Sequence, residues 1–383
     1  MRVGTTNVNT GRAENTIAVA GQWRLMWNAF RKRRLALLGG TIIGLFCLLA
    51  LFAEFFAPYD PEARDPSSRP VPPTRIHIMT SAGKLHRPFV YQLVEARDTV
   101  TRAVHFTEQT DRIHPIRFFV RAERYRLCGL FAADVHLFGT DDSQRFHLLG
   151  TDQQARDVFS RLVYGTRASI GIGILAAAIS LLVAMVLGTI AGYGGGPPDA
   201  IVRHMGAVII SIPSLPLWMA LAVVIPAMGT AKRDILSMVI VLALVGWTSL
   251  ARTARDRTHA LREADYVCSA KLDNVPALRR ICRHVIPGTV GHLTASFAFL
   301  VPCLILGETS LSFLGLGLSA PRISWGALLQ SALDMHAMIL APWLLAPVVP
   351  IVVIILSFYL LADGLRDTVD LFDGAGGEDS QRL

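Results

Sequence analysis

Charge is scarce in this chain: 17% of its 383 residues are Asp, Glu, Lys or Arg, against 52% that are hydrophobic. That balance is too apolar for an ordinary soluble domain of this length. The five cysteines are too few and too scattered for a disulfide framework. Cys47 and Cys303 lie in apolar runs, Cys268 and Cys282 in a basic stretch, and Cys128 alone in a long polar segment. A lone cysteine outside the membrane has no partner for an internal bridge, so all five read as small packing residues. No glycine-rich loop ends in Lys-Ser or Lys-Thr, which leaves no P-loop for a nucleotide. Six of the eleven histidines (His77, His86, His105, His114, His136 and His147) gather in the polar segment. Their spacings match no ligand pattern, and adjacent candidates fall on separate predicted strands, so no metal site is assigned. No catalytic residue and no cofactor site emerges either, and the chain is not read as an enzyme. The formal net charge of +8 would suit nucleic acid, but the arginines cluster beside apolar runs, where positive charge retains a loop in the cytoplasm.

What is present in quantity is long, uncharged apolar sequence. Six windows are candidate membrane spans: residues 35–53, 168–192, 205–229, 235–251, 289–307 and 338–362. The first follows more than thirty residues and Arg31-Lys32-Arg33-Arg34, and is longer than a secretory signal core, so it reads as a retained span with its N-terminus inside. The fourth is short and borrows Arg252 by snorkelling. Counting from inside, the loop 252–287 with Arg252, Arg255, Arg257, Arg262, Lys271, Arg279, Arg280 and Arg283 falls in the cytoplasm, as do both termini. The second window carries small residues four apart, Ala176, Ser180, Ala184, Gly188 and Gly192, a stripe that lets another helix approach closely. The third holds Pro213, Pro216 and Pro226, so a kink or a broken helix is expected, tolerable where it is buried or lines a cavity. A packing helix and a pathway-lining helix both fit.

Between the first two windows lies a polar segment, residues 58–167. It opens on a proline-rich linker (Pro66, Pro70, Pro72, Pro73) and continues into β-like runs at 75–79, 88–94 and 116–120, with a turn at 81–84. A small mixed, mostly β module outside the membrane is expected. The wording His136-Leu137-Phe138-Gly139-Thr140-Asp141 recurs as His147-Leu148-Leu149-Gly150-Thr151-Asp152, a local duplication too short for a repeat fold.

The most informative pattern is in the basic loop: Arg262-Glu263-Ala264-Asp265-Tyr266-Val267-Cys268-Ser269-Ala270-Lys271-Leu272-Asp273-Asn274, then Arg283-His284-Val285-Ile286-Pro287. Acids near the start and Lys271 near the end suit an amphipathic helix. Asn274 can take the left-handed conformation that ends it, and Pro276 can open a second helix. The result is a compact knob between two spans. Glu308, at the end of the fifth window, should face protein, water or a positive partner. A gating role is one reading, and a carboxylate capping backbone groups of the Gly-rich turn that follows is the other.

The loop resembles the "EAA" loop of bacterial ABC-importer permeases, and most closely that of the dipeptide and oligopeptide (and nickel) import family. Glu263, Asp265, Tyr266, Val267, Ala270, Arg283, His284 and Pro287 match that branch. The family's glycine falls on Asn274 and its preceding leucine on Asp273, both departures. Before the second window, His147–Asp152 with Arg156-Asp157-Val158-Phe159-Ser160-Arg161 resembles the branch signature, with Ala155 where glycine is usual. Ile305–Gly317, Ser324-Trp325-Gly326 and Asp363-Gly364-Leu365-Arg366-Asp367 are also near the family wording. The resemblance covers most of the chain outside about 66–134.

It implies an all-α polytopic membrane protein of six transmembrane helices with a type I importer permease core, plus the β insertion. The expected division is a cytoplasmic segment 1–34, a first helix 35–57, a periplasmic insertion 58–167, a core 168–365 containing the coupling loop, and a cytoplasmic tail 366–383. The implied partners are a second homologous permease, two ATP-binding subunits, a periplasmic substrate-binding protein and membrane lipid, with no nucleic acid. Glu263, Ala264, Asp265, Tyr266, Ala270, Asn274, His284 and Pro287 would form the ATPase-coupling surface. Pro213, Pro216 and Glu308 would be gating or structural. Peptide is the first substrate class; nickel, glutathione-like and oligosaccharide import are alternatives. A membrane receptor or sensor is the rival from another class, and neighbouring ATPase and binding-protein genes would separate the two.

Overall fold

Uncharged apolar runs have nowhere to satisfy their backbone in lipid except in helices, and helices dominate the computed structural model. It describes residue 27 and residues 30–380, apart from 66–69, 81–82, 98–103, 128, 130, 141–144, 228–234 and 319–320. Residues 1–26, Pro66, Ser81, Ala82, Cys128, Asp141 and Gly229, which some of the expectations above include, lie outside the described residues. In chain order the elements are α1 (Arg34–Leu51), α2 (Ala53–Phe56), β1 (His77–Met79), β2 (Leu85–Arg97), β3 (Val104–Leu127), β4 (Phe131–Thr140), α3 (Val158–Gly194), α4 (Gly196–Ser211), α5 (Ser214–Ala227), α6 (Ile235–Arg262), α7 (Asp265–Leu272), α8 (Ala277–Arg280), α9 (Ile286–Phe313), α10 (Trp325–Gln330), α11 (Met335–Leu340) and α12 (Val348–Ser380). Among the described residues five helical runs are long and apolar enough to cross a membrane: α1, α3, α6, residues Ala277–Phe313 and residues Pro342–Val369. Helices α4 and α5 pass that test only together, bent by 97°.

Helices and hydrophobic windows part company at charged and proline residues. Helix α3 starts ten residues before the expected 168, because Asp157 caps it by accepting from the Ser160 amide at 2.7 Å. Arg161 and Arg167, which closed the window, sit inside the helix; Arg167 grips the Glu54 carboxylate of α2 at 2.8 and 2.9 Å. The window 205–229 is two helices, since Ile212 before Pro213 is extended (φ −93°, ψ 130°). Pro216 falls in the first turn of α5, where a missing N–H costs nothing. The window 338–362 opens with α11 and a 3-10 turn over Pro342–Leu345, and the long helix begins only at Val348. Helix α9 runs six residues past 307, so Glu308 lies within a helix rather than at its end.

The small-residue stripe is a seam inside this chain. Ala176, Ser180, Ala184, Gly188 and Gly192 are all buried, and they face α6. A methyl group on Gly188 would stand 2.6 Å from the Ala254 Cβ and 2.7 Å from the Ala251 carbonyl oxygen. The Ser180 hydroxyl donates to the Ala243 carbonyl at 3.4 Å. Helix α1 packs along α12, with Arg33 paired to Asp367 at one end. Between these lies the main core, with Ile172, Leu242, Leu304, Ile305 and Ile354 fully buried.

The polar segment carries a four-stranded antiparallel sheet in the order β1-β2-β3-β4. The long β3 pairs with β2 over its first half and, from Ile116 on, with β4. The duplicated wording takes two conformations: the first copy, from His136 to Thr140, runs in β4, and the second makes a turn. Tertiary bonds decide the difference. The Thr74 amide donates to the His147 carbonyl at 2.8 Å, and the Thr151 amide to the Val71 carbonyl at 2.9 Å. Gly150 between them has φ +72°, and a side chain there would collide with Trp343. Ala155, standing where the resemblance has glycine, also has a left-handed φ of +58°.

Buried His147 closes this junction, its ring nitrogens 2.9 Å from Asp157 Oδ1 and 3.2 Å from Asp65 Oδ2. Burial pulls the imidazolium down, but the bonds and charges of Asp157 and Asp65 outweigh it and the pKa rises to about 8. A raised histidine pKa stabilises the folded state fully below the unfolded value near 6.5, and that contribution is lost as pH rises through 8. The shift corresponds to about 2 kcal/mol. Melting of the purified protein should therefore fall by a few degrees between pH 6.5 and 9, and His147→Asn should flatten the profile. An unchanged pH dependence in that variant would remove His147 as its source.

Candidate functional site

The knob forms where α6 runs out into a basic, polar stretch that cannot continue into an apolar interior. Helix α6 ends at Arg262, and Ala264 takes an extended conformation (φ −68°, ψ 141°) that opens α7. Asp265 sits in the first turn of α7 and Lys271 in the last, complementing the helix dipole. Asn274 follows with φ +53°. Its amide donates to the Lys271 carbonyl at 3.2 Å, and the Val275 amide to the Ala270 carbonyl at 3.1 Å, so a paired helix-end motif is completed. Pro276 then precedes α8, which continues through a π turn at Ile281–Val285 into α9, with Pro287 in its first turn.

Within the knob Val267, Ala270 and Val285 are buried. The Tyr266 ring lies 6.3 Å from that of His284, and partial burial raises the Tyr266 phenol above its usual range. Glu263 and Asp265 are exposed and Ala264 half-buried. On the outside Leu272 is 83% and Leu278 74% exposed, two large aliphatic side chains facing away from the bundle. The Arg280 guanidinium lies 5.9 Å from the Tyr193 ring, fastening the knob to the end of α3. At this same end Arg255 pairs with Asp199 and Asp256. Glu263, Ala264, Asp265, Tyr266, Ala270, Asn274, His284 and Pro287 are thus brought into one projecting unit.

Pro213, Pro216 and Glu308 lie elsewhere. The break at Pro213 borders a cavity of about 320 Å³, lined also by Ser214, Trp218, Thr248, Ser249 and Cys303. Glu308 is fully buried. It accepts from the hydroxyls of Ser312 at 2.7 Å and Ser169 at 3.0 Å. Those hydroxyls in turn accept from the Leu318 amide at 3.3 Å and the Trp325 amide at 3.0 Å. Through these serine hydroxyls the carboxylate is linked to the chain that follows α9. Among the described residues no group of three His, Cys, Asp or Glu side chains is placed to hold a metal ion.

Residues 184–371, spanning the knob, the broken helix and Glu308, match the family model described as binding-protein-dependent transport system inner membrane component. The oligopeptide transport system permease protein OppC of Bacillus subtilis is 33% identical over 58% of this chain and 71% of its own length. The chain belongs to this family. Residues 21–73 match the N-terminal TM domain of oligopeptide transport permease C. The dipeptide transport system permease protein DppC of Bacillus subtilis is 34% identical over 58% of this chain and 68% of its own. The glutathione transport system permease protein GsiD of Pectobacterium atrosepticum is 34% identical over 58% and 72%. A solved structure of the MetNI methionine ABC transporter, inward facing, aligns at 13% identity with a TM-score of 0.43, over 54% of this chain and 96% of that one. The family matches enclose the knob and leave out the sheet.

Sequence reasoning missed Leu272 and Leu278, because an isolated leucine in a basic loop carries no periodic signal. It also missed Ser169 and Ser312, the partners of Glu308. For Ser169 the signal was available, since a hydroxyl within an apolar window needs an acceptor; Ser312 lies beyond the fifth window and carried none.

Proposed function

We propose that this chain is a permease subunit of an ATP-driven peptide importer, coupled through the knob from Glu263 to Pro287 to ATP-binding subunits. The observation that carries the reading is the knob itself: a firmly fastened helix–turn–helix that presents Leu272 and Leu278 to something outside the chain. Relatives named for oligopeptide, dipeptide and glutathione transport support a peptide class of substrate, glutathione being a tripeptide.

In this reading the five long runs cross the bilayer and α4–α5 make a sixth, broken crossing. The arginine-rich end with the knob, residues 1–34 and 366–383 is cytoplasmic, as the excess of positive charge there favours. The insertion 58–167 with its sheet is periplasmic, and 168–365 is the permease core. A homologous second permease, two ATPase subunits and a periplasmic binding protein complete the complex. Backbone groups freed by the break at Pro213 are tolerable beside a water-filled path, so Pro213, Pro216 and the neighbouring cavity belong to the pathway. Closure of the ATPase pair would move the knob and, through α6 and α9, the spans as rigid bodies. Glu308 would keep the outer end of α9 in shape.

In liposomes holding the chain with its partner permease, ATPases and binding protein, labelled dipeptide should accumulate only with ATP. Exposed Cys268 and Cys282 should react with an impermeant maleimide only after sealed cells are opened. ATP-independent accumulation would overturn the coupling, and labelling of Cys282 in sealed cells the orientation.

A further inference from the structure

We propose that the β3–β4 hairpin is a lipid-contacting element, lying in the interface of the membrane beside the outer end of α1 and binding anionic headgroups. The proposal rests on the reading that α1 crosses the bilayer.

The hairpin is tied to α2, the short helix that follows α1 after Phe52. His136 on β4 has its ring nitrogens 2.6 Å from the Ala57 carbonyl oxygen and 3.1 Å from that of Glu123. The Tyr125 hydroxyl donates to the Val135 carbonyl at 2.6 Å, and the Phe119 ring lies 6.2 Å from Phe55. On α1 itself Leu45, Leu48 and Leu51 are exposed.

On this platform the hairpin leaves uncovered what a protein in water hides. Phe118 is 68%, Phe119 66% and Phe131 70% exposed. Phe119 also has φ +57°, a conformation a bulky residue keeps only where surroundings hold it. No charged residue occurs from 127 to 133, which covers the end of β3, the turn and the start of β4. Beside the exposed rings, in the part of β3 that pairs with β4, stand Arg117, Arg121, Arg124 and Arg126, against Glu123 and, on β4, Asp134, and Arg121, Arg124 and Arg126 are exposed. Aromatic side chains flanked by arginines, next to the end of a span, match the layering of acyl chain and phosphate at a membrane surface. The arginines give anionic lipid the complementary charge.

The test uses the full chain in its complex, in vesicles of phosphatidylethanolamine and phosphatidylglycerol. Native cysteines are replaced and one spin label is placed per protein, through Phe118→Cys, Phe131→Cys, Leu48→Cys or Lys84→Cys. Collision rates with oxygen and with a water-soluble nickel chelate are compared. The oxygen-to-nickel ratio should be several-fold higher at 118 and 131 than at 84, and should approach that at 48. Replacing Arg121, Arg124 and Arg126 by glutamine should lower the ratio at 131. Labels at 118 and 131 as water-exposed as that at 84, with 48 in lipid, would overturn the lipid contact alone. A water-exposed label at 48 would overturn the membrane reading beneath it.

Discussion

Replacing Gly192 or Gly188 by leucine should leave little folded permease, whereas the same change at Gly171 of the same helix should be tolerated. The difference lies in what each position meets. A side chain on Gly192 would run into the Arg255 carbonyl oxygen and stand 2.8 Å from the Thr258 Cβ. On Gly188 it would meet the Ala251 carbonyl oxygen at 2.7 Å. Nothing lies within 4 Å of a methyl group on Gly171. Backbone cannot rotate away as a side chain can, so α3 and α6 must separate. Overpacking costs about 1–3 kcal/mol where side chains can give way, and more where they cannot. In lipid the loss is not softened by a hydrophobic drive, since contact between the helices is itself what holds them. Separation would also loosen the knob, which hangs from α6 and touches Tyr193 near the end of α3. Yield and thermal melting of detergent-solubilised protein measure the effect. Equal melting of the Gly171 and Gly192 variants would show that the stripe does not hold α3 to α6.

A close helix approach was legible because small residues four apart let another helix come near, but whether that helix lies in this chain or in a partner was not. The ends of helices were less legible. A hydropathy window stops at Arg161 or Arg167, but the helix continues, since arginine is a good helix former and these two find Glu62 and Glu54 as partners. The departures from the family wording proved readable in backbone terms. Asn274 and Ala155 stand where the resemblance has glycine, and both hold positive φ; asparagine does so more readily than alanine. The strand β4 went unrecognised because its wording, repeated eleven residues later, forms a turn there. Local preference is the same in both places, and only pairing with β3 or with Thr74 and Val71 separates them. The positions of Glu263 to Pro287 on one knob followed from capping chemistry at Asn274 and Pro276. The surface that the knob offers did not, because exposure belongs to the packed molecule.

That exposed surface yields the largest functional effect. Leu272→Asp should reduce ATP-driven peptide uptake by at least an order of magnitude while leaving the permease itself as stable as before. Leu272 is 83% exposed, so the isolated chain loses little apolar burial on the change. A partner that covers the leucine would have to desolvate a carboxylate instead. Disrupting a buried anchor at an interface costs about 2–4 kcal/mol, or roughly 30- to 1,000-fold in affinity. Ala264→Trp should act in the same direction by bulk. Its extended backbone accepts any residue, its side chain sits at the start of α7, and its carbonyl already receives the Val267 and Cys268 amides at 2.9 and 3.0 Å. Two comparisons separate coupling from folding. Val267→Asp places a charge in the buried side of α7 and should lower melting as well as uptake. Leu272→Met keeps apolar bulk and should preserve both. The complex is purified through the permease, and retained ATPase, substrate-stimulated hydrolysis and uptake in liposomes are measured together. Detached ATPase, or hydrolysis that no longer responds to substrate, with unchanged melting places the leucine in the coupling contact. Normal uptake by both Leu272→Asp and Ala264→Trp would move that contact off the knob.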